Sequence, residues 1–377
     1  MNLDIAGPGS GSELGDGPLA GVRIVEIDAI GPVPLAAMLL ADMGAEIVRI
    51  ARPPHPGAAW DDVGGNVLHR SRAVVHANLK NEADRDAAIA LISSADALLE
   101  GYRPGVMERL GLGPDEMLAI NPKLVFVRMT GWGQDGPLAL TAGHDINYIA
   151  ISGALHALGP AEGPPVAPLN LVGDYGGGAM FAITGLLAAL LSARTTGKGQ
   201  VVDVAMTDGV ASLLSMVHGF MATGRWQDRR EANLLDGAAP FYRCYRCADG
   251  GYVAVGALEP QFFAQLLKRL GIASDRYVQN DRACWPQMEA DLAAAFADRT
   301  RDEWASVFAG TDACVSPVLS LAEATVHPHN AARQTYLLRG GFAQPAPAPR
   351  FSATQSKVGE PVERSLEEQL ALWRRDG

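Results

Sequence analysis

The sequence predicts an α/β protein: a large domain on a parallel sheet, then a smaller α+β domain. Two observations carry this. From Val22 to Ala205, apolar β-rich runs alternate with helix-like runs. Further on, a hairpin signal is followed by two helical patterns. Strands joined by helical crossovers are covered on both faces, so they read as near-continuous apolar runs.

Val22–Ile27 is the first strand and Pro34–Met43 a helix with Pro at its start. Ala45–Ile50 and Ala73–Leu79 are strands, and Asp84–Ser93 is a helix. Ala97–Tyr102, Leu124–Met129 and Gly199–Ala205 extend the alternation, the last after an apolar helix over Ala179–Ala193. The large domain is therefore Rossmann-like, without the dinucleotide fingerprint. Its first turn, Asp28-Ala29-Ile30-Gly31-Pro32-Val33-Pro34, holds one glycine where G-x-G-x-x-G needs three, which argues against an NAD-dependent enzyme.

Thr223–Pro240 is polar and reads as a connector. Phe241–Cys247 and Tyr252–Leu258 flank Ala248-Asp249-Gly250-Gly251, a hairpin signal. Helical patterns follow at Pro260–Leu270 and Trp285–Ala297. A second connector, His327–Pro349, ends in a Pro-rich strap, and Ser365–Arg375 reads as a surface helix. The expected division is a disordered tail (1–16), a large domain (17–222, completed by 346–377), a linker (223–240), a small domain (241–325) and a second linker (326–345).

The 377 residues, 48% hydrophobic and 19% charged, can bury a sizeable core, and a net charge of −11 argues against nucleic-acid binding. Residues 1–16 lack the basic start and apolar run of a signal peptide. Ala179–Ala193 is shorter than the roughly 20 residues a bilayer requires, so no membrane association is expected. Four cysteines fit a reducing, cytoplasmic setting. Cys244 and Cys247 form C-x-x-C within a strand, where positions i and i+3 face opposite ways, so no metal site is expected.

The segment Gly143–Gly178 offers the chemistry. His144 precedes a helix-like run, where a histidine ordinarily packs or caps. Asp174 precedes three glycines and the apolar helix, where an aspartate ordinarily caps. One glycine would satisfy a turn; three let a ligand approach the backbone. The N–H groups of Tyr175, Gly176 and Gly177 at a helix start would favour an oxyanion, with Asp174 as the base beside them. An imidazole and a carboxylate facing one carbon can add a proton on one side and remove one on the other. Glu259, before Pro260, suits a first-turn acid or a carboxylate that orients a histidine. Arg52, Arg70, Arg72, Lys80, Arg103 and Arg109 lie in expected loops, where guanidinium forks can hold phosphate or remain solvated. Met180, Met206, Met216 and Met221 either line an adaptable apolar pocket or fill core.

These motifs, in this order, resemble the α-methylacyl-CoA racemases of the family III CoA-transferase (CaiB/BaiF) superfamily. The resemblance rests on Gly21–Glu26, Gly101-Tyr102-Arg103-Pro104-Gly105, Arg109–Gly113, Met129–Gln134, Gly143–Tyr148, Pro168–Asp174, Gly197–Val202, Leu235-Asp236-Gly237, Val255–Phe262, Thr311–Cys314 and Pro317–Leu319. It runs from about residue 17 to the end of the chain. It implies an interlocked homodimer, each subunit a ring threaded by the other, with the connectors as straps. The active site would lie between the large domain of one subunit and the small domain of its partner. It also implies an acyl-CoA substrate and no cofactor. His144 and Asp174 would be the acid/base pair and Glu259 the support of His144. CoA would lie near Arg52, Ala77, Gly101, Tyr102, Arg103 and Arg109, with Gly143, Asp145, Ile146, Asn147 and Tyr148 along the thioester. True transferases of the superfamily use a carboxylate nucleophile at the Asp174 position and lack the histidine, so the presence of both residues favours a racemase.

Overall fold

The computed structural model describes residues 17–53 and 64–375; the tail expected over 1–16 lies outside them. The chain divides into two compact units. One takes the chain up to Ser152, Leu169–Leu213 and the residues from Ala346; the other takes Gly153–Pro168 and Leu214–Pro345. Residues 153–168 and 214–222, expected in the large domain, thus belong to the second unit.

The first unit is built on seven parallel strands in the order β12-β3-β2-β1-β4-β5-β6. They are β1 (Arg23–Ile27), β2 (Glu46–Ala51), β3 (Ala73–His76), β4 (Ala97–Glu100), β5 (Val125–Thr130), β6 (Gln200–Ala205) and β12 (Val362–Glu363). Successive residues of β1 feed two cores. Ile24 joins Leu40, Val127 and Leu186 on one face; Val25 joins Ile50, Leu91 and Phe126 on the other. This double burial explains the apolar runs in the sequence. The C-terminal helix Leu366–Arg375, expected on the surface, buries Trp373 in the second of these cores, where the Trp373 carbonyl accepts from Arg23 Nη1 at 2.9 Å.

From β1 the order turns outward in both directions, through β2 one way and β4 the other. In open α/β sheets, a ligand crevice lies beyond the carboxyl ends of the strands at such a reversal.

The apolar helix is longer than expected. Leu171–Ala179 winds as a π-helix, with Tyr175 N–H bonded to Asn170 C=O at 3.2 Å, and runs directly into the α-helix Met180–Thr196. The 26-residue run is long and apolar enough to cross a membrane by length and composition. In this fold Ala182, Leu186, Ala189 and Ala193 pack into the sheet core.

Close packing also explains the glycines. A Cβ on Gly209, in the helix Met206–Leu213, would lie 2.0 Å from the Gly177 carbonyl oxygen; one on Gly177 would lie 2.8 Å from that of Met206. Gly209→Ala must therefore push backbone from backbone. We expect a loss of about 1–3 kcal/mol in chemical denaturation. An unchanged midpoint would show that the contact is slack.

The second unit holds the antiparallel sheet β7 (Tyr242–Arg246), β8 (Tyr252–Gly256) and β9 (Val315–Pro317). The hairpin at Asp249-Gly250 forms as expected; β9 was not foreseen. The helices Pro260–Leu270 and Trp285–Phe296 pack on the sheet through Phe263, Leu266, Met288 and Phe296. The second connector is not featureless: it contains the helix Pro328–Ala332 and the hairpin β10 (Tyr336–Arg339)–β11 (Phe342–Pro345). Cys247 is buried and Cys244 exposed, and the described residues contain no cluster of three potential metal ligands.

Candidate active site

A cavity of about 740 Å³ opens at the carboxyl ends of β1, β4, β5 and β6. Ile30–Val33 follow β1, Gly101–Pro104 follow β4, Met129–Trp132 end β5 and Met206 follows β6; His144, Tyr148, Asn170 and Asp174 complete the wall. All of these residues belong to the first unit.

His144 is the N-cap of the short helix Asp145–Ile151, and its backbone N–H donates to Asn147 Oδ1 at 3.0 Å. Its side chain is exposed and borders the cavity. Asp174 is not a cap. It lies in the first turns of the π-helix, and its N–H, which the helix leaves unbonded, donates to Asp145 Oδ2 at 2.7 Å. Asp145, expected along the thioester, is thus turned onto the Asp174 backbone. Gly173 allows this approach: a Cβ there would sit 2.6 Å from Asp145 Oδ2. Asp145 is 6% exposed and its Oδ1 has no hydrogen-bond partner among the described residues.

Burial pushes the Asp174 carboxyl up to about 6. The hydrogen bond from Asn170 Nδ2 (3.4 Å) pulls it down, the negative Asp145 pushes it up and His144 pulls it down. Gly31, the N-cap of the helix Pro32–Asp42, leaves room beside it: a Cβ there would lie 3.5 Å from Asp174 Oδ2. Tyr148 stands edge-on to Trp132 and donates its hydroxyl to the Gly143 carbonyl. Burial first, and then the charge of Asp174, push its phenol up to about 12, so it stays neutral.

The oxyanion site expected at Tyr175, Gly176 and Gly177 does not form as a helix start. The helix begins at Leu171, the Tyr175 N–H is bonded to Asn170, and Gly177 serves the contact with Met206–Leu213. Of the expected CoA contacts, Gly101, Tyr102, Arg103, Gly143 and Tyr148 border the cavity with His144 and Asp174. Arg52 lies outside the cavity wall but sits 5.8 Å from the Tyr102 ring, as a cation–π pair does. Ala77 is buried after β3; Ile146, Asn147 and Arg109 are exposed away from the cavity wall. Arg70 and Arg72 are not loop phosphate ligands: they are buried, paired with Asp42 and Glu26. Of the four methionines only Met206 lines the cavity. Glu259 belongs to the second unit, exposed at the N-cap of Pro260–Leu270.

Sequence reading missed Asn170 and Trp132 as site residues. Both lie inside motifs it used, but nothing in the spacing shows that Asn170 turns back on the carboxylate four residues later.

The chain and its fold have known counterparts. The family described as CoA-transferase family III matches residues 19–362. The chain is 43% identical to the alpha-methylacyl-CoA racemase of Mus musculus, over 89% of this chain and 87% of the mouse protein. It is 41% identical to that of Homo sapiens, over 93% of each. The acetyl-CoA:oxalate CoA-transferase of Acetobacter aceti is 31% identical, over 96% of each chain. Among solved structures, a CaiB/BaiF family protein from Brucella suis superposes with a TM-score of 0.79 at 24% identity, covering 95% of this chain and 99% of that one. This chain belongs to CoA-transferase family III. Within that family its resemblance to the racemases, first seen in the motifs, holds along most of its length.

Proposed function

We infer that this protein is a racemase that inverts the α-carbon of 2-methylacyl-CoA thioesters. The observation that carries this reading is an imidazole and a carboxylate on one cavity, the carboxylate pushed up to about 6. The similarity to alpha-methylacyl-CoA racemases supports it. At that value Asp174 exchanges protons at neutral pH in both directions, near the range in which imidazoles titrate.

In one direction the Asp174 carboxylate takes the C2 proton. The C–H electron pair moves into the thioester carbonyl to give an enolate, and the His144 imidazolium returns a proton to the opposite face. In the other direction the roles reverse. The thioester acidifies C2, so the reaction needs no cofactor. Gly101, Tyr102 and Arg103 hold the CoA side, with Arg52 against Tyr102. Glu259 supports His144, within an interlocked homodimer. A 2-methylacyl-CoA substrate supports a role in lipid metabolism, and the four cysteines support a reducing, cytoplasmic setting.

The test is deuterium uptake at C2 from heavy water. A single epimer of a 2-methylacyl-CoA is expected to become racemic and deuterated together. No incorporation with any 2-methylacyl-CoA, together with hydroxylamine trapping of an acyl–Asp174 anhydride, would make the protein a CoA-transferase instead.

A further inference from the structure

We propose that Arg128 is the positioning residue of the loop that holds CoA, acting on binding of the nucleotide half rather than on proton transfer. Arg128 lies on β5 directly across from Glu100 on β4 and is 6% exposed. Its Nε donates to Glu100 Oε1 at 2.9 Å, and its Nη1 and Nη2 donate to Glu108 Oε1 and Oε2 at 2.7 and 3.2 Å. The other oxygen of Glu100 accepts the Tyr102 N–H at 2.6 Å. One guanidinium therefore ties together the two ends of the stretch 100–108. That stretch contains Gly101, Tyr102 and Arg103 and leads directly into Arg109.

Between its ends this stretch is held by packing, with Met107 buried in the second core and Tyr102 against it, while the clamp fixes the two ends by hydrogen bonds. The stretch turns through Gly105 at φ 80°, and the short helix Val106–Arg109 bonds back to Arg103 and Gly105. The clamp is also an expensive way to fill a core. Two carboxylates share one buried cation, and burial pushes Glu100 up to about 7. Replacing a buried ionic pair such as Arg128–Glu100 by apolar side chains is often neutral or stabilising, which points to the geometry it fixes as the reason for it. Only a planar fork can hold one carboxylate through Nε and a second through both Nη atoms; an ammonium cannot.

The proposal rests on the reading that CoA lies along Gly101–Arg103. Arg128→Lys and Glu108→Gln are to be compared with the wild type on a 2-methylacyl-CoA and on the matching 2-methylacyl-pantetheine thioester, with calorimetric binding of free CoA. Glu108 is 40% exposed, and its neutralisation leaves Arg128 paired with Glu100, so this variant should fold even if Arg128→Lys does not. Both variants should raise KM for the CoA ester and weaken CoA binding by about tenfold, the effect of losing roughly 1.4 kcal/mol. The kcat, and the KM for the pantetheine ester, should stay within about twofold of wild type, well inside one such step. Equal changes for both esters, or unaltered CoA binding in folded variants, would overturn the clamp and leave the proposed activity standing. A wild-type protein that binds neither free CoA nor a 2-methylacyl-CoA would overturn both.

Discussion

Asp174→Asn is expected to lower racemisation by about 10²–10⁴-fold, the usual contribution of a positioned acid–base group, and to make the protein more stable at neutral pH. The second half follows from the same burial that tunes the first. The carboxyl titrates near 6 in the folded protein and near 3.9 when exposed in an unfolded chain. Between these values the folded state binds more protons, so the native protein loses stability as pH rises through about 6. Above that it carries the whole penalty of a partly buried charge, which Asn lacks while keeping the shape and an acceptor for Asn170. The shift corresponds to about 3 kcal/mol, and solvent reaching the partly exposed carboxylate reduces this to about 1–2 kcal/mol. Denaturation at pH 8 should show the variant more stable, and the gap should close as pH falls toward 4. A variant less stable than wild type at pH 8 would mean that the charge is held by partners, not merely tolerated.

His144→Ala should separate exchange from inversion. Racemisation is expected to fall by about 10²–10⁴-fold, because one face of C2 loses its acid. The epimer whose proton faces Asp174 should still exchange that proton with heavy water, returning deuterium to the same face without inversion. The opposite epimer should do neither. Removing the imidazole also removes an influence that lowers the Asp174 carboxyl, so the acid limb of the remaining exchange should move to higher pH. The substitution keeps the backbone N–H that bonds Asn147, so the helix Asp145–Ile151 should survive. Exchange and racemisation lost to the same extent for both epimers would overturn the two-base reading.

Much of the fold was legible because both faces of the sheet are buried. Double burial imposes apolar strands, and β1, β2, β4 and β5 fall where the alternation predicts; β6, at the sheet edge and exposed over Gln200–Val201, also falls where expected, after the apolar helix. The helix Pro260–Leu270 matches its predicted span because Pro260 opens it and Gly271, at φ 72°, closes it. The misses share one cause: they depend on partners distant in sequence. Strand β9 is three residues long and exists only by pairing with β8. The hairpin β10–β11 turns at Gly340-Gly341, inside a stretch whose sequence reads as a connector. Trp373 reads as a surface residue until its core is folded beneath it.

The division runs through the site as well. His144 and Asp174 stand out in the chain through the family motifs, and the fold brings both to the wall of one cavity. The sequence also determined the alternation that builds the sheet and the run of small residues before the apolar helix. Their purpose was decided by tertiary structure. In the chain, Gly176-Gly177-Gly178 after an aspartate reads as a helix start open to an anion; in the fold the helix begins earlier, and Gly177 admits a neighbouring helix. Asp145 reads as a substrate contact and instead bonds the backbone of a residue 29 positions away. Arg128 gave no signal at all. Local sequence fixes backbone preference and side-chain chemistry, whereas burial, charge pairing and the resulting pKa depend on which distant residues the sheet brings alongside.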